Sequence, residues 1–143
     1  MSTEESKAVA RRYYHDVLNN RRLDALDQLA VADYAEHDPF PGQQDGRPGL
    51  MQRVEMLIDA FAPYFEIEDV IAEGDRVVVR WTHTGTHVGE FLGMAPTGRS
   101  FNIAGIDIYR MQDGKLAEHW HVVDQFSLLL QLGVIPAPAG APA

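Results

Sequence analysis

Residues Phe101 to Gln125 read FNIAGIDIYRMQDGKLAEHWHVVDQ. Two alternating apolar runs flank Asp113-Gly114, a dipeptide suited to the two-residue turn of a β-hairpin. Each run carries a carboxylate where an apolar residue is the default: Asp107 in the first, Asp124 at the end of the second. With a two-residue turn, Gln112 faces Lys115, Asp107 faces Trp120 and Asp124 faces Ile103. Opposed residues share a face, as do residues two apart. This register predicts Asp107, Trp120 and Asp124 on one face with Gly105 and Val122. A shift of one residue flips a strand and breaks that set. The two carboxylates, about 13 Å apart along the strands, are expected to line one pocket without touching.

Upstream of the hairpin the period changes. Ser2 three residues before Glu5 suggests a capping box, and Val9, Tyr13, Val17 and Leu18 recur at helical spacing to about Asn19. Leu23, Leu26, Leu29 and Ala30 mark a shorter second helix. The chain then runs through Val31 to Pro39 into a loop rich in Pro and Gly. Pro48 suits the first turn of a third helix, whose stripe is Leu50, Val54, Leu57, Ile58 and Phe61, and Pro63 ends it. Beyond Pro63 the period is two: a strand over 64–72, a turn at Glu73-Gly74-Asp75, and a long strand from Arg76 to about Val88. Gly89 to Arg99 reads as a loop, and Phe126 to Leu132 as a last apolar turn. Residues 136–143, PAPAGAPA, read as a low-complexity tail.

Helices first and an antiparallel meander after predict an α+β domain over 1–135. Helices on one face of a strongly curved sheet enclose a cavity. The other face is partly apolar through Ile106 and Ile108, which predicts a homo-oligomer built on that face. The 143 residues carry a net charge of −9, which argues against a nucleic-acid surface, and no apolar run is long enough to span a membrane. The start, MSTEESKAVARR, lacks the apolar segment of a signal peptide. The absence of cysteine excludes thiol catalysis and fits a reducing cytoplasm, the expected location.

The order of these motifs resembles a known family. Two helices precede His37-Asp38-Pro39, and a third helix follows. Then come Gly85-Thr86-His87, Gly89-Glu90-Phe91, Pro96-Thr97-Gly98, Asp107-Ile-Tyr-Arg, Asp113-Gly-Lys, and Glu118-His-Trp with Asp124 at the end. The chain is similar to the SnoaL-like polyketide (ester) cyclases of the NTF2-like superfamily. The resemblance implies a cone-shaped α+β barrel of three N-terminal helices on a curved, mostly antiparallel sheet. It also implies a dimer or higher oligomer and a pocket without cofactor that takes a small hydrophobic molecule. In those cyclases a carboxylate on the last strand is the acid/base group of an aldol closure, and Asp124 matches it. His37 matches a pocket histidine. Asp107 falls where related epoxide hydrolases carry a carboxylate, but their arginine two positions earlier is Gly105 here.

The residues themselves leave alternatives. Asp124 is either a base made reactive by an apolar pocket or the N-cap of the terminal turn. Asp107, on a strand where Asp is disfavoured, is either an acid/base group or the partner of Arg80 or a histidine. His37 either faces the substrate or sits solvated beside Pro39. Trp81, His83 and Trp120 are expected as flat lining, with Phe61 and Gly105 completing the wall. His83 with His87, and His119 with His121, offer too few ligands for a zinc site, so no metal is expected. If His119 and His121 lie on the face away from the pocket, their expected place is the subunit interface.

Overall fold

The computed structural model describes residues 1–139; part of the tail expected over 136–143 lies outside them. Helix α1 (Thr3–Arg12) starts at a formed capping box, with Ser2 Oγ accepting from Glu5 N–H at 3.1 Å. It runs on into a π-helical segment (Tyr13–Asn19), a wider winding that occurs often at functional sites. A 3₁₀ turn (Leu23–Ala25) leads into α2 (Leu26–Leu29). Helix α3 (Gly46–Phe61) has Pro48 in its first turn and ends at Ala62, which adopts a left-handed conformation before Pro63. Helix α4 (Gln125–Leu132) is the last regular element among the described residues. No helix among the described residues is long and apolar enough to cross a membrane.

The strands are β1 (Ala30–Glu36), β2 (Tyr64–Glu73), β3 (Arg76–Thr86), β4 (Ser100–Gln112) and β5 (Lys115–Val123), in sheet order β1-β5-β4-β3-β2. The fold is α+β, and the sheet is open, with β1 and β2 as its edges. Strand β1 is absent from the sequence reading. Its alternation is weak, and it is held by parallel pairing to β5, including Glu36 with His119.

The Asp113-Gly114 turn forms with both residues at positive φ, and Gln112 pairs with Lys115 as the hairpin predicts. Two residues on, the register changes. Met111 pairs with Leu116 but Arg110 pairs with Glu118, which leaves Ala117 as an extra residue. This β-bulge reverses the facing of the rest of β5. Asp107 therefore opposes His121, not Trp120. His119 and His121 turn inward, and Trp120 and Val122 turn out.

The inner face of the sheet packs against α1, its π-helical extension and α3. Tyr14, Val17, Leu26, Val54, Val77, Val79, Tyr109 and Leu116 form the main core. A second cluster of Phe61, Phe91, Phe101, Ile103, Leu128 and Leu132 closes the other end. Between the two clusters the packing leaves a cavity.

Candidate active site

The cavity has a volume of about 370 Å³. Aromatic and aliphatic side chains make most of its wall: Tyr13 and Leu18 from the π-helical segment, Phe61 from α3, Phe65, Trp81, and Phe91 from the 87–99 loop. Its polar end is built from β4, β5 and α3: Asp107, His119, His121 and Arg53.

Asp107 is 6% exposed and accepts hydrogen bonds through both of its oxygens. Its Oδ2 accepts from Trp81 Nε1–H at 2.7 Å and from the Tyr14 hydroxyl, with the Tyr109 hydroxyl at 3.4 Å. Its Oδ1 accepts from His119 Nε2 at 2.9 Å. The other ring nitrogen of His119 reaches Glu36 at 2.7 Å. Glu36 is in turn 3.5 Å from Arg53, whose guanidinium lies 2.9 Å from His121 Nδ1 and 4.4 Å over the Phe40 ring. Buried charges persist only when paired and hydrogen-bonded. Here two carboxylates and two cations alternate: Asp107, His119, Glu36, Arg53.

The proton positions follow. Burial opposes a charged His119, but Asp107 and Glu36 on its two nitrogens outweigh this and carry its pKa up to about 9. Burial likewise raises the Asp107 carboxyl, and the His119 imidazolium with the donated hydrogen bonds reverses this and holds it below its usual value. Burial, Arg53 and His119 all push His121 down, so that imidazole is neutral near pH 7. Arg53 can only donate, so His121 Nδ1 accepts and Nε2 carries the proton. Burial pushes His83 down to about 3, and it too is neutral.

Asp107, His119 and His121 each offer a ligand atom within 4.8 Å of the others. A cation there would have to displace the His119 proton and the Arg53 guanidinium already seated on His121. The donor set is thus committed to a proton network, and the residues fit a metal poorly.

Asp107, Trp81, His83 and Phe61 line the cavity. Gly105 lies beneath Trp81: a Cβ there would sit 2.4 Å from the indole ring, so the missing side chain makes room for Trp81 to reach Asp107. Trp120 stands on the opposite face, where the Ala117 bulge puts it. His37 stacks on it there with ring centroids 4.6 Å apart and bonds Glu118 at 2.6 Å. Asp124 is exposed, and its side chain caps α4 by accepting from Ser127 N–H at 3.1 Å. Neither His37 nor Asp124 reaches the cavity wall. Conversely, His119 and His121 are in the cavity and not on the outer face.

Tyr13, Tyr14, Glu36 and Arg53 are site residues that the sequence reading missed. Arg53 had a usable signal, since it falls three residues after Leu50 and four before Leu57, within the buried stripe of α3. Glu36 had none, because its place depends on the pairing of β1 with β5.

A family model described as SnoaL-like polyketide cyclase matches residues 8–132. The nogalonic acid methyl ester cyclase of Streptomyces nogalater is 31% identical over 118 residues, spanning 80% of this chain and 88% of its own. The aklanonic acid methyl ester cyclase DauD of Streptomyces sp. (strain C5) is 30% identical over 133 residues, spanning 87% and 81%. Among solved structures, TsrD from Streptomyces laurentii superposes with a TM-score of 0.86 at 26% identity, covering 94% of this chain and 99% of that one. AclR from Streptomyces galilaeus superposes with a TM-score of 0.82 at 29% identity, covering 97% and 87%.

Proposed function

The chain belongs to the SnoaL-like polyketide cyclase family, and from that premise we propose that it catalyses a cofactor-independent intramolecular aldol cyclisation of a small, hydrophobic carbonyl ester. The observation that carries this reading is a buried carboxylate, Asp107, at the polar end of an aromatic-walled cavity, with an imidazolium behind it and a neutral imidazole beside it. Similarity to the ester cyclases supports the substrate class.

The chemistry needs one proton moved twice. A C–H between two carbonyls is acidic enough for a carboxylate to remove once water is excluded. Asp107 Oδ1, flanked by His121, is the acceptor in this reading. The enolate carbon then attacks a second carbonyl of the same molecule, the C–C bond forms, and the new alkoxide takes the proton back. Product and substrate are isomers, so no oxidant or reductant enters. The His121 Nε2–H serves as a neutral donor to the developing oxyanion. The positive His119 and Arg53 offset its charge without touching it.

The outer face, with Ile106, Ile108 and Val122 exposed, is the surface on which a homodimer forms in this reading. A single domain over 1–135, a cone-like wrap of sheet around the cavity and a cytoplasmic location belong to the same proposal, the last supported by the lack of cysteine.

The test is incubation of the purified protein with nogalonic or aklanonic acid methyl ester, without added cofactor and with a chelator present. A product of unchanged mass and new retention is expected, with none from Asp107→Asn. No conversion of either ester would remove the cyclase reading. A binding-only protein is the second reading, favoured by the number of donors on Asp107, which weaken it as a base. Tight binding of the esters without turnover would establish it.

A further inference from the structure

His83 is the one cavity-lining polar side chain whose buried ring nitrogen has no partner among the described residues. It is 4% exposed. Its ring stacks on Phe65 with centroids 4.2 Å apart, and Phe101 packs edge-on at 5.0 Å. Nothing in this aromatic cage needs an imidazole. A phenyl ring would fill the same space without leaving Nε2 unsatisfied, and an unsatisfied buried polar group destabilises the fold. Local rules broken without a structural return mark functional positions.

We infer that His83 is a second ligand anchor, which holds a neutral hydroxyl or carbonyl group at the end of the ligand remote from Asp107. The placement follows from register. Asp107 pairs with Val79 on β3, and His83 lies four residues further along that strand, about 13 Å at the backbone. Trp81 lies between them, its indole N–H on Asp107 and its ring 6.1 Å from that of His83. A flat ligand lying along Trp81 and Phe65 meets a proton-transfer group at one end and His83 at the other. A ligand about as long as that indole, two fused rings, spans the gap with a hydrogen bond at each end.

Charge is also selected. His83 stays neutral, so it offers a carboxylate no counter-ion. The two cations in the cavity wall, Arg53 and His119, are at the other end and already face Glu36 and Asp107. A neutral substituent is therefore accepted at the His83 end and an ionised one is rejected.

This inference rests on the proposed function only in taking the ligand as aromatic, and its test measures binding without turnover. The probes are 2-naphthol and 2,6-dihydroxynaphthalene, titrated into the Trp120→Phe protein so that Trp81 is the sole tryptophan reporting by fluorescence. The second hydroxyl is expected to tighten binding roughly two- to tenfold, the worth of one net hydrogen bond. In His83→Phe that gain disappears while 2-naphthol still binds, and the ligand-free variant melts higher than the parent. In the parent, the His83 ring nitrogens shift in ¹⁵N spectra with the two-ended probe and not with naphthalene. Survival of the gain in His83→Phe would overturn the inference, as would unmoved His83 nitrogens or a parent that binds neither probe. The spectra decide the matter on the parent alone if the variant fails to fold. Failure of the ester assay with success here would leave a binding site that does not turn over, so the two ideas fail separately.

Discussion

Asp107 and His121 stand opposite each other across β4 and β5, with Oδ1 and Nδ1 3.7 Å apart. The gap is wide enough that neither is spent on the other, and it opens on the cavity. Asp107→Asn keeps the shape and removes the charge. The His119 imidazolium then loses one of its two counter-ions, and an amide N–H₂ meets donors from Trp81, Tyr14 or His119. Turnover is expected to fall by at least about 100-fold. Unfolding free energy is expected to fall by about 3–5 kcal/mol, the range for breaking a buried ion pair. Ester conversion and urea titration on the same preparation check both, and activity within a few-fold of the parent would move the chemistry away from Asp107.

Stability should pass through a maximum near neutrality, because two buried histidines are shifted in opposite directions. His119 titrates at about 9 when folded and near 6.5 when unfolded. Its contribution is full below 6.5 and is lost as pH rises towards 9. His83 titrates at about 3 when folded, so it must stay neutral while the unfolded chain takes a proton. Stability is lost on that account as pH falls from about 6.5 towards 3. Glu36 and Asp107, both held low, add to the acid limb. Unfolding titrations from pH 4 to 10 check the shape. In His83→Phe the acid limb should flatten, and in Glu36→Gln the alkaline fall should begin at lower pH, since His119 keeps one carboxylate only.

The hairpin shows how far local chemistry can be read. Asp113-Gly114 sets the turn, and alternation sets the strands, because both are decided within a few residues. The facing of His119 and His121 is decided by one extra residue, Ala117, and nothing local marks it: Leu116 and Ala117 are both small enough and apolar enough to be buried together. A parity change of this kind reverses every later side chain, so plain alternation places Trp120 in the cavity and the bulge puts His119 and His121 there instead. The presence of Asp107, Trp81 and His83 in one wall depends on β3 and β4, whose register is regular along its length, and Phe61 joins them from the apolar stripe of α3. The Glu36–His119 and Arg53–His121 contacts join segments far apart in the chain, and only the packed structure brings them together.

Gly105 should be intolerant of a methyl group for a reason unrelated to turn geometry. An added Cβ would lie 2.4 Å from Trp81 Cη2 and Cζ2, so the indole must tilt, and its N–H leaves Asp107. Gly105→Ala is expected to destabilise by about 1–3 kcal/mol through overpacking. Its Trp fluorescence should differ from the parent's, and conversion of the ester should fall even where the protein is fully folded. Unchanged fluorescence and activity would mean that Trp81 does not depend on the empty position beneath it.

Asp124 can be assigned by a pair of substitutions that separate capping from chemistry. Its carboxylate accepts from Ser127 N–H at the start of α4, and Asn is as good an N-cap as Asp, whereas Ala is not. If the residue acts only as a cap, Asp124→Asn retains both stability and turnover. Asp124→Ala then loses about 1 kcal/mol with kcat unchanged on the folded fraction. The family resemblance leads to the opposite expectation, that Asp124→Asn abolishes turnover while the fold persists. Exposure and distance from the cavity wall favour the first outcome. An inactive, fully stable Asp124→Asn would instead require α4 to move on ligand binding, bringing this carboxylate to the substrate and leaving Asp107 as its support.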